Sequence, residues 1–160
     1  MKCVFRAYGE AFDVDAFLTH SRWRPQPIFH AGERRTPGSG GGRVHRYSGF
    51  HLGVPGSDTP GAVFAQQVEA VLTFLVRERA ELERLSAFPG LELSVLDFGV
   101  PLREELAMLT VSFPLPLVQA AAKAHVALQA TIYRTAESSI PSVPKRSNPR
   151  SAASRKRAKA

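Results

Sequence analysis

One apolar stripe constrains the fold of this chain more than any other feature. Phe64, Val68, Val71, Leu72, Leu75, Leu82 and Leu85 recur at three- and four-residue steps. That spacing puts side chains on one side of an α-helix. Gln66, Gln67, Glu69, Arg77, Glu78, Glu81 and Glu83 take the other side. The pattern predicts one amphipathic helix of about 25 residues. Thr59 is its N-cap, Pro60 its first helical residue and Pro89-Gly90 its stop. Such a helix cannot bury its stripe alone, so it needs a second layer to lie on.

Segments with period-two alternation supply that layer. In Lys2–Tyr8, Cys3, Phe5 and Ala7 face one way and Lys2, Arg6 and Tyr8 the other, which predicts a strand with one buried face. Phe12–Leu18 predicts a short helix, capped by Asp13, favoured by Asp15 and stapled by Phe12. Pro25 and Pro27 prevent its continuation. Residues 32–42, with Gly32, Pro37, Gly38 and Gly40-Gly41-Gly42, read as a flexible connection. Arg43–Val54 predicts a strand, weakened or bulged at Gly49 and Gly53 and ended by Pro55–Asp58. Beyond the long helix, Leu91–Val95 and Ala107–Phe113 predict strands, with Gly99–Glu105 as a connection. A helix from Pro114 or Pro116 through Ala124 and a strand over Val126–Tyr133 follow. The order β-α-β-α-β-β-α-β predicts an α+β fold, a mixed sheet with helices packed on one face. The last β-α-β has a crossover long enough for parallel pairing.

Charge divides the chain. From Ala136 onward there are seven bases (Lys145, Arg146, Arg150, Arg155, Lys156, Arg157, Lys159) and one acid, Glu137, a net +6. The whole chain carries +7, so residues 1–135 are nearly neutral. The tail is rich in Ser, Pro, Ala, Lys and Arg and cannot bury enough apolar surface to offset the entropy of ordering. The division is therefore a single α+β domain over 1–135 and a disordered basic tail over 136–160. The tail clusters are candidate nucleic-acid contacts, gripping phosphates non-specifically and in a salt-dependent way. Cys3 is the only cysteine, which excludes an intramolecular disulfide and a multi-thiolate zinc site and fits a reducing cytosol. The N-terminus lacks the apolar stretch of a signal peptide, and no apolar run approaches the roughly 18 residues of a membrane span. A cytoplasmic protein without membrane contact is expected.

Patterns that carry catalysis or cofactors are weak here. His45 and His51 fall on one face of the predicted strand, about 20 Å apart if it is fully extended. At that distance they share no metal unless the chain bulges at Gly49. His20, His30 and His125 have no partner at metal-ligand spacing, and His-Glu-x-x-His is absent. Asp13 and Asp15 are explained by helix capping. Pro37–Arg43 lacks the phosphate-loop spacing, and Ser39 lacks a strand–turn–helix context. Cys3 in the first strand reads as a small core residue rather than a nucleophile. Trp23 between Arg22 and Arg24 is a candidate surface contact, able to stack on bases or grip an acidic partner. The preferred reading makes Trp23 a cover for the core edge, with the arginines in water. No cofactor, metal or catalytic group is expected.

Three stretches resemble a family known mainly from bacteria, domain-of-unknown-function family 4279. They are the first strand with Phe12–Leu18, Arg24-Pro25 and Gly32-Glu33; the long helix ending near Pro89 with the strand after it; and Val111–Val118 through Val126–Tyr133. Together they span about residues 2–134, and the glycine run and the tail depart from the pattern. The resemblance implies a small αβ fold without an established activity. It also implies protein binding, because some relatives are encoded among toxin-immunity genes. The expected function is a non-enzymatic protein-interaction domain, immunity-like, binding an unidentified protein through its sheet face or an edge. The alternative is a nucleic-acid-associated protein acting through its tail.

Overall fold

The computed structural model describes residues 2–35, 43–58, 63–102 and 109–134. Strand β1 (Cys3–Gly9) alternates as its sequence predicts, with Cys3, Phe5 and Ala7 fully buried and Val4, Arg6 and Tyr8 half-buried. Helix α1 (Val14–Thr19) begins where Asp13 Oδ1 accepts the Ala16 N–H at 2.9 Å. Strands β2 (Ile28–Phe29) and β3 (Ser48–Gly53) follow. Helices α2 (Phe64–Arg77) and α3 (Arg79–Ser86) precede β4 (Leu93–Leu102), and α4 (Leu115–Lys123) leads into β5 (Ala127–Arg134).

The sheet has the order β2-β3-β1-β4-β5. β1 lies between β3 and β4, antiparallel to both, and β2 is antiparallel to β3. β4 and β5 are parallel, as a helical crossover requires. The sheet is therefore mixed and the fold α+β. One face of it carries the core. Phe5, Phe50, Leu96 and Phe98 from the strands meet Phe17 of α1, Val71, Phe74 and Leu75 of α2, Leu82 and Leu85 of α3, and Leu117 and Ala121 of α4. An aromatic group fills its centre: Phe17 stacks on Phe50 at 6.0 Å between ring centroids, and Trp23 meets Phe5 edge-on at 5.5 Å. No helix among the described residues is long and apolar enough to cross a membrane.

Several elements differ from the sequence pattern. The long helix breaks at Glu78, whose backbone (φ −95°, ψ 10°) ends α2 and starts α3. Glu78 falls three residues after Leu75 and four before Leu82, so it occupies the apolar stripe and not the opposite side where the pattern set it; Gln67, set on that side too, is also buried. Its carboxylate needs donors there and finds them. Trp23 Nε1–H donates to Oε2 at 2.9 Å, Arg22 Nη2 at 2.8 Å, and Arg77 Nε to Oε1 at 2.8 Å. Burial pushes the Glu78 carboxyl up, but these bonds outweigh it and hold it below the usual glutamate range. The proposed cap at Thr59 and Pro60 lies outside the described residues; α2 opens at Phe64 after Val63.

The strand expected over Arg43–Val54 is ordered as β3 only from Ser48. Ahead of it, Val44 forms a single bridge to Arg34, a second pairing that pulls this segment out of line. β2 was not anticipated, because two residues are too few to show a period. β4 runs on through Gly99–Leu102, which the sequence assigns to a connection; β5 pairs along that length and satisfies its backbone groups. The described part of the expected strand over Ala107–Phe113, from Leu109, is not in a ladder. Phe113 instead turns its ring onto Phe64 and Phe98, with centroids 5.8 and 5.2 Å away.

Candidate functional site

The face of the sheet turned from the helices is built from the alternate residues of the same strands. Arg6 stands opposite His51 on one side and Val95 on the other; Tyr8 stands opposite Gly49 and Leu93. Gly49 is required in that row, because a Cβ there would lie 2.2 Å from the Ala7 carbonyl oxygen. Phe29 enters from β2, paired with Gly49.

A second layer of backbone rims this face. Gly32 N–H donates to His45 O and His45 N–H to Glu33 O, both at 2.8 Å, and Arg35 N–H donates to Arg43 O at 3.0 Å. These bonds hold residues 32–35 against 43–45. His30 fixes the base of the arm: its Nε2 is 2.9 Å from Asp15 Oδ2 of α1 and its Nδ1 3.1 Å from Glu33 Oε2. The Glu33 and Asp15 carboxylates raise the His30 imidazole above its ordinary value.

Between this rim and the sheet lies a cavity of about 680 Å³. Its lining includes four arginines (Arg6, Arg34, Arg35, Arg46), two histidines (His45, His51) and three rings (Tyr8, Phe29, Tyr47). Glu33 is the one carboxylate in that lining among the described residues. Phe29 joins the histidines, with its ring 4.8 Å from that of His45 and 5.4 Å from that of His51. Tyr8 and Tyr47 are 5.4 Å apart, and the Arg46 guanidinium sits 5.2 Å from the Tyr47 centroid.

The cations differ in their partners. Arg6 Nη2 is 2.5 Å from Oδ2 of Asp97, a buried carboxylate that also accepts the Thr131 hydroxyl at 2.6 Å. The Arg6 Nε–H is buried and meets no acceptor among the described residues. Arg46 pairs with Glu10 at 2.6 Å. Arg34 and Arg35 make no ion pair among the described residues. Burial, reinforced by the Arg6 charge, lowers the His51 imidazole below its ordinary value and favours its neutral form. The site thus combines two arginines without ion partners among the described residues, planar rings and a half-open cavity, a chemistry suited to an anion.

The two histidines therefore share one ring and one cavity, in place of the wide separation that an extended strand would impose. The bends at Arg46 and Tyr47 bring them round. No group of three or more metal-binding side chains is present among the described residues. Trp23 is buried in the core, only 6% exposed, so it presents no ring for a partner to stack on. Arg22 is committed to Glu78, and Arg24 Nη1 donates to the Ser21 and Trp23 carbonyls, both at 2.8 Å. Burial, with the Asp97 charge added, pushes the Cys3 thiol far up, as befits a core residue. The basic residues Lys145, Arg146, Arg150, Arg155, Lys156, Arg157 and Lys159 lie outside the described residues.

Sequence reasoning missed Arg6, Tyr8, Phe29, Arg34, Arg35, Arg46 and Tyr47 as a group. A signal was present for some of them. Arg6 and Tyr8 occupy the non-core positions of β1, and Arg34-Arg35 and Arg43 flank the glycine-rich connection symmetrically. No family model, curated protein or solved structure matches this chain.

Proposed function

We propose that this chain is a non-enzymatic, cytoplasmic binding domain that takes an anionic partner in the cavity on the helix-free face of its sheet. The observation that carries this reading is the charge of the lining: four arginines, two of them offset by Asp97 and Glu10, with Arg34 and Arg35 left without ion partners among the described residues. Exposed guanidinium groups steer and hold carboxylates or phosphates, and rings beside them add contact area. In its protein-interaction form the partner offers an acidic segment, the complement of Arg34 and Arg35. The test is fluorescence anisotropy of a labelled Glu-rich peptide against the full chain at low and near-physiological salt. Binding should weaken about tenfold, or ~1.4 kcal/mol, in the Arg34→Glu/Arg35→Glu double variant. Equal binding by that variant would remove the cavity from the reading.

A second reading rests on the tail, where seven bases face one acid. It makes the protein a non-specific phosphate-backbone binder. Anisotropy with labelled DNA and RNA, comparing the full chain with residues 1–135, separates the two. Loss of salt-sensitive binding with the tail favours the second reading.

A further inference from the structure

We propose that the cavity on the helix-free face is a mononucleotide site, in which the arginines take the phosphate and the rings take the base. The inference rests on the anion-binding reading above and names the ligand class. Its first support is the supply of donors. Arg6 and Arg46 are each offset by a carboxylate, Asp97 and Glu10, whereas Arg34 and Arg35 are not offset among the described residues. Arg6 lines the cavity, and its Nε–H is buried without an acceptor among the described residues. A buried donor left unmade is costly, and native structures rarely keep one unless something else supplies the acceptor. A phosphate monoester brings three terminal oxygens, enough to meet the guanidinium forks of Arg34 and Arg35 together.

The second support is what a bare anion would leave unused. Phe29, Tyr8 and Tyr47 give the cavity planar apolar walls, already engaged in ring contacts with one another or with histidines. Such walls attract a flat heterocycle, whose face stacks whatever its edge pattern. A flexible acidic peptide would use the arginines but gain little from the rings. The third support is size. A volume of about 680 Å³ lies within the range of small-ligand sites and accommodates a base, a sugar and one phosphate.

The experiment is isothermal titration calorimetry of the full chain with adenosine 5′-monophosphate, adenosine, ribose 5-phosphate, inorganic phosphate and phenyl phosphate, with the Glu-rich peptide as a parallel arm. The nucleotide should bind at least about tenfold more tightly than adenosine or ribose 5-phosphate. The Arg34→Gln/Arg35→Gln variant should erase its advantage over adenosine. Phe29→Leu should erase its advantage over ribose 5-phosphate. Both arginines are exposed, so an unchanged melting temperature in that variant certifies the fold. A nucleotide that binds no better than inorganic phosphate or phenyl phosphate overturns the proposal. So does binding that neither variant weakens, which would place the ligand elsewhere on the chain. If the peptide binds and the nucleotide does not, the nucleotide inference fails and the anion-binding reading stands. If neither binds, both fail.

Discussion

The two faces of one sheet divide the work in this protein. On the helix side, β1 contributes Cys3, Phe5 and Ala7, none with any exposure, and its neighbours add Phe50, Leu96 and Phe98. On the other side the same three strands contribute Arg6, Tyr8, His51 and Asp97. Adjacent residues along a strand thus enter two different environments. Apolar burial on the first face supplies stability at roughly 25 cal/mol per Å². On the second, Arg6, Tyr8 and His51 stay half-buried and Asp97 is buried, and it is the half-buried groups that the proposal gives to a ligand. If the division is real, substitutions on the two faces should fail in different assays.

The largest effect should come from the covered face. Phe50 is fully buried and contacts the rings of Phe5, Phe12, Phe17 and Trp23. Phe50→Ala should cost about 3–5 kcal/mol in urea unfolding. A loss below about 1.5 kcal/mol would break the comparison, since the aromatic centre would then not hold the sheet.

Asp97 sharpens the comparison because it is a buried carboxylate on the face proposed for binding. Removing it strands the Arg6 guanidinium and the Thr131 hydroxyl. Full burial of such a pair would imply about 3–5 kcal/mol. The Arg6 side chain is 32% exposed, so solvent takes up part of the loss. Asp97→Ala should cost about 2–3 kcal/mol in the same assay. A neutral result would mean that the far face carries no structural load at all.

Glu78 tests the covered side through pH. Its folded-state pKa lies below the unfolded value, so its contribution is present above the unfolded pKa of about 4.3 and is lost as pH falls through the folded value. Glu78→Gln should cost about 1–2 kcal/mol at neutral pH and flatten the acid limb of a stability-versus-pH curve. An unchanged acid limb would show that Trp23, Arg22 and Arg77 do not act through the charge.

The smallest effects belong to the rim. His30 has a raised folded-state pKa, so its bonds to Asp15 and Glu33 stabilise the fold fully below the unfolded value near 6.5 and fade as pH rises through the folded one. His30 is well exposed, so the change should be small, and it should disappear in His30→Gln melts from acid to mildly alkaline pH. Arg34→Gln/Arg35→Gln should shift stability by no more than about 0.5 kcal/mol while weakening anion binding. A large stability loss there would mean that the rim is structural.

Much of the covered face could be read from the residues in order. Alternation in Cys3–Ala7 and the Asp13 cap are local signals, and the structure follows them. Helical spacing in Phe64–Leu85 placed much of the stripe, but it set Glu78 on the polar side and gave one unbroken helix where the structure has two. Ala107–Phe113 shows the limit of such signals. Its alternation is as regular as that of β1, yet Phe113 leaves the ladder for Phe64 and Phe98, and β5 takes the place beside β4. Strand propensity reports a fit to a half-buried surface, and several segments compete for one edge. The cavity was harder still. It joins β1, β2, the arm over 33–35 and the bend over 45–47, and no single segment carries a sign of the others.

Periodicity and composition were enough for the α+β class, the inward side of β1, part of the inward side of α2, and the concentration of positive charge after residue 135. Each of these depends on neighbours within a turn or two of chain, whose burial side is written in their spacing. The order β2-β3-β1-β4-β5, the donors around Glu78 and the convergence of Arg6, Phe29, His45 and His51 came only with the packed fold. These contacts join residues far apart in the chain. Which distant segment pairs with which is decided by the best joint burial of all of them, a property that no local window contains.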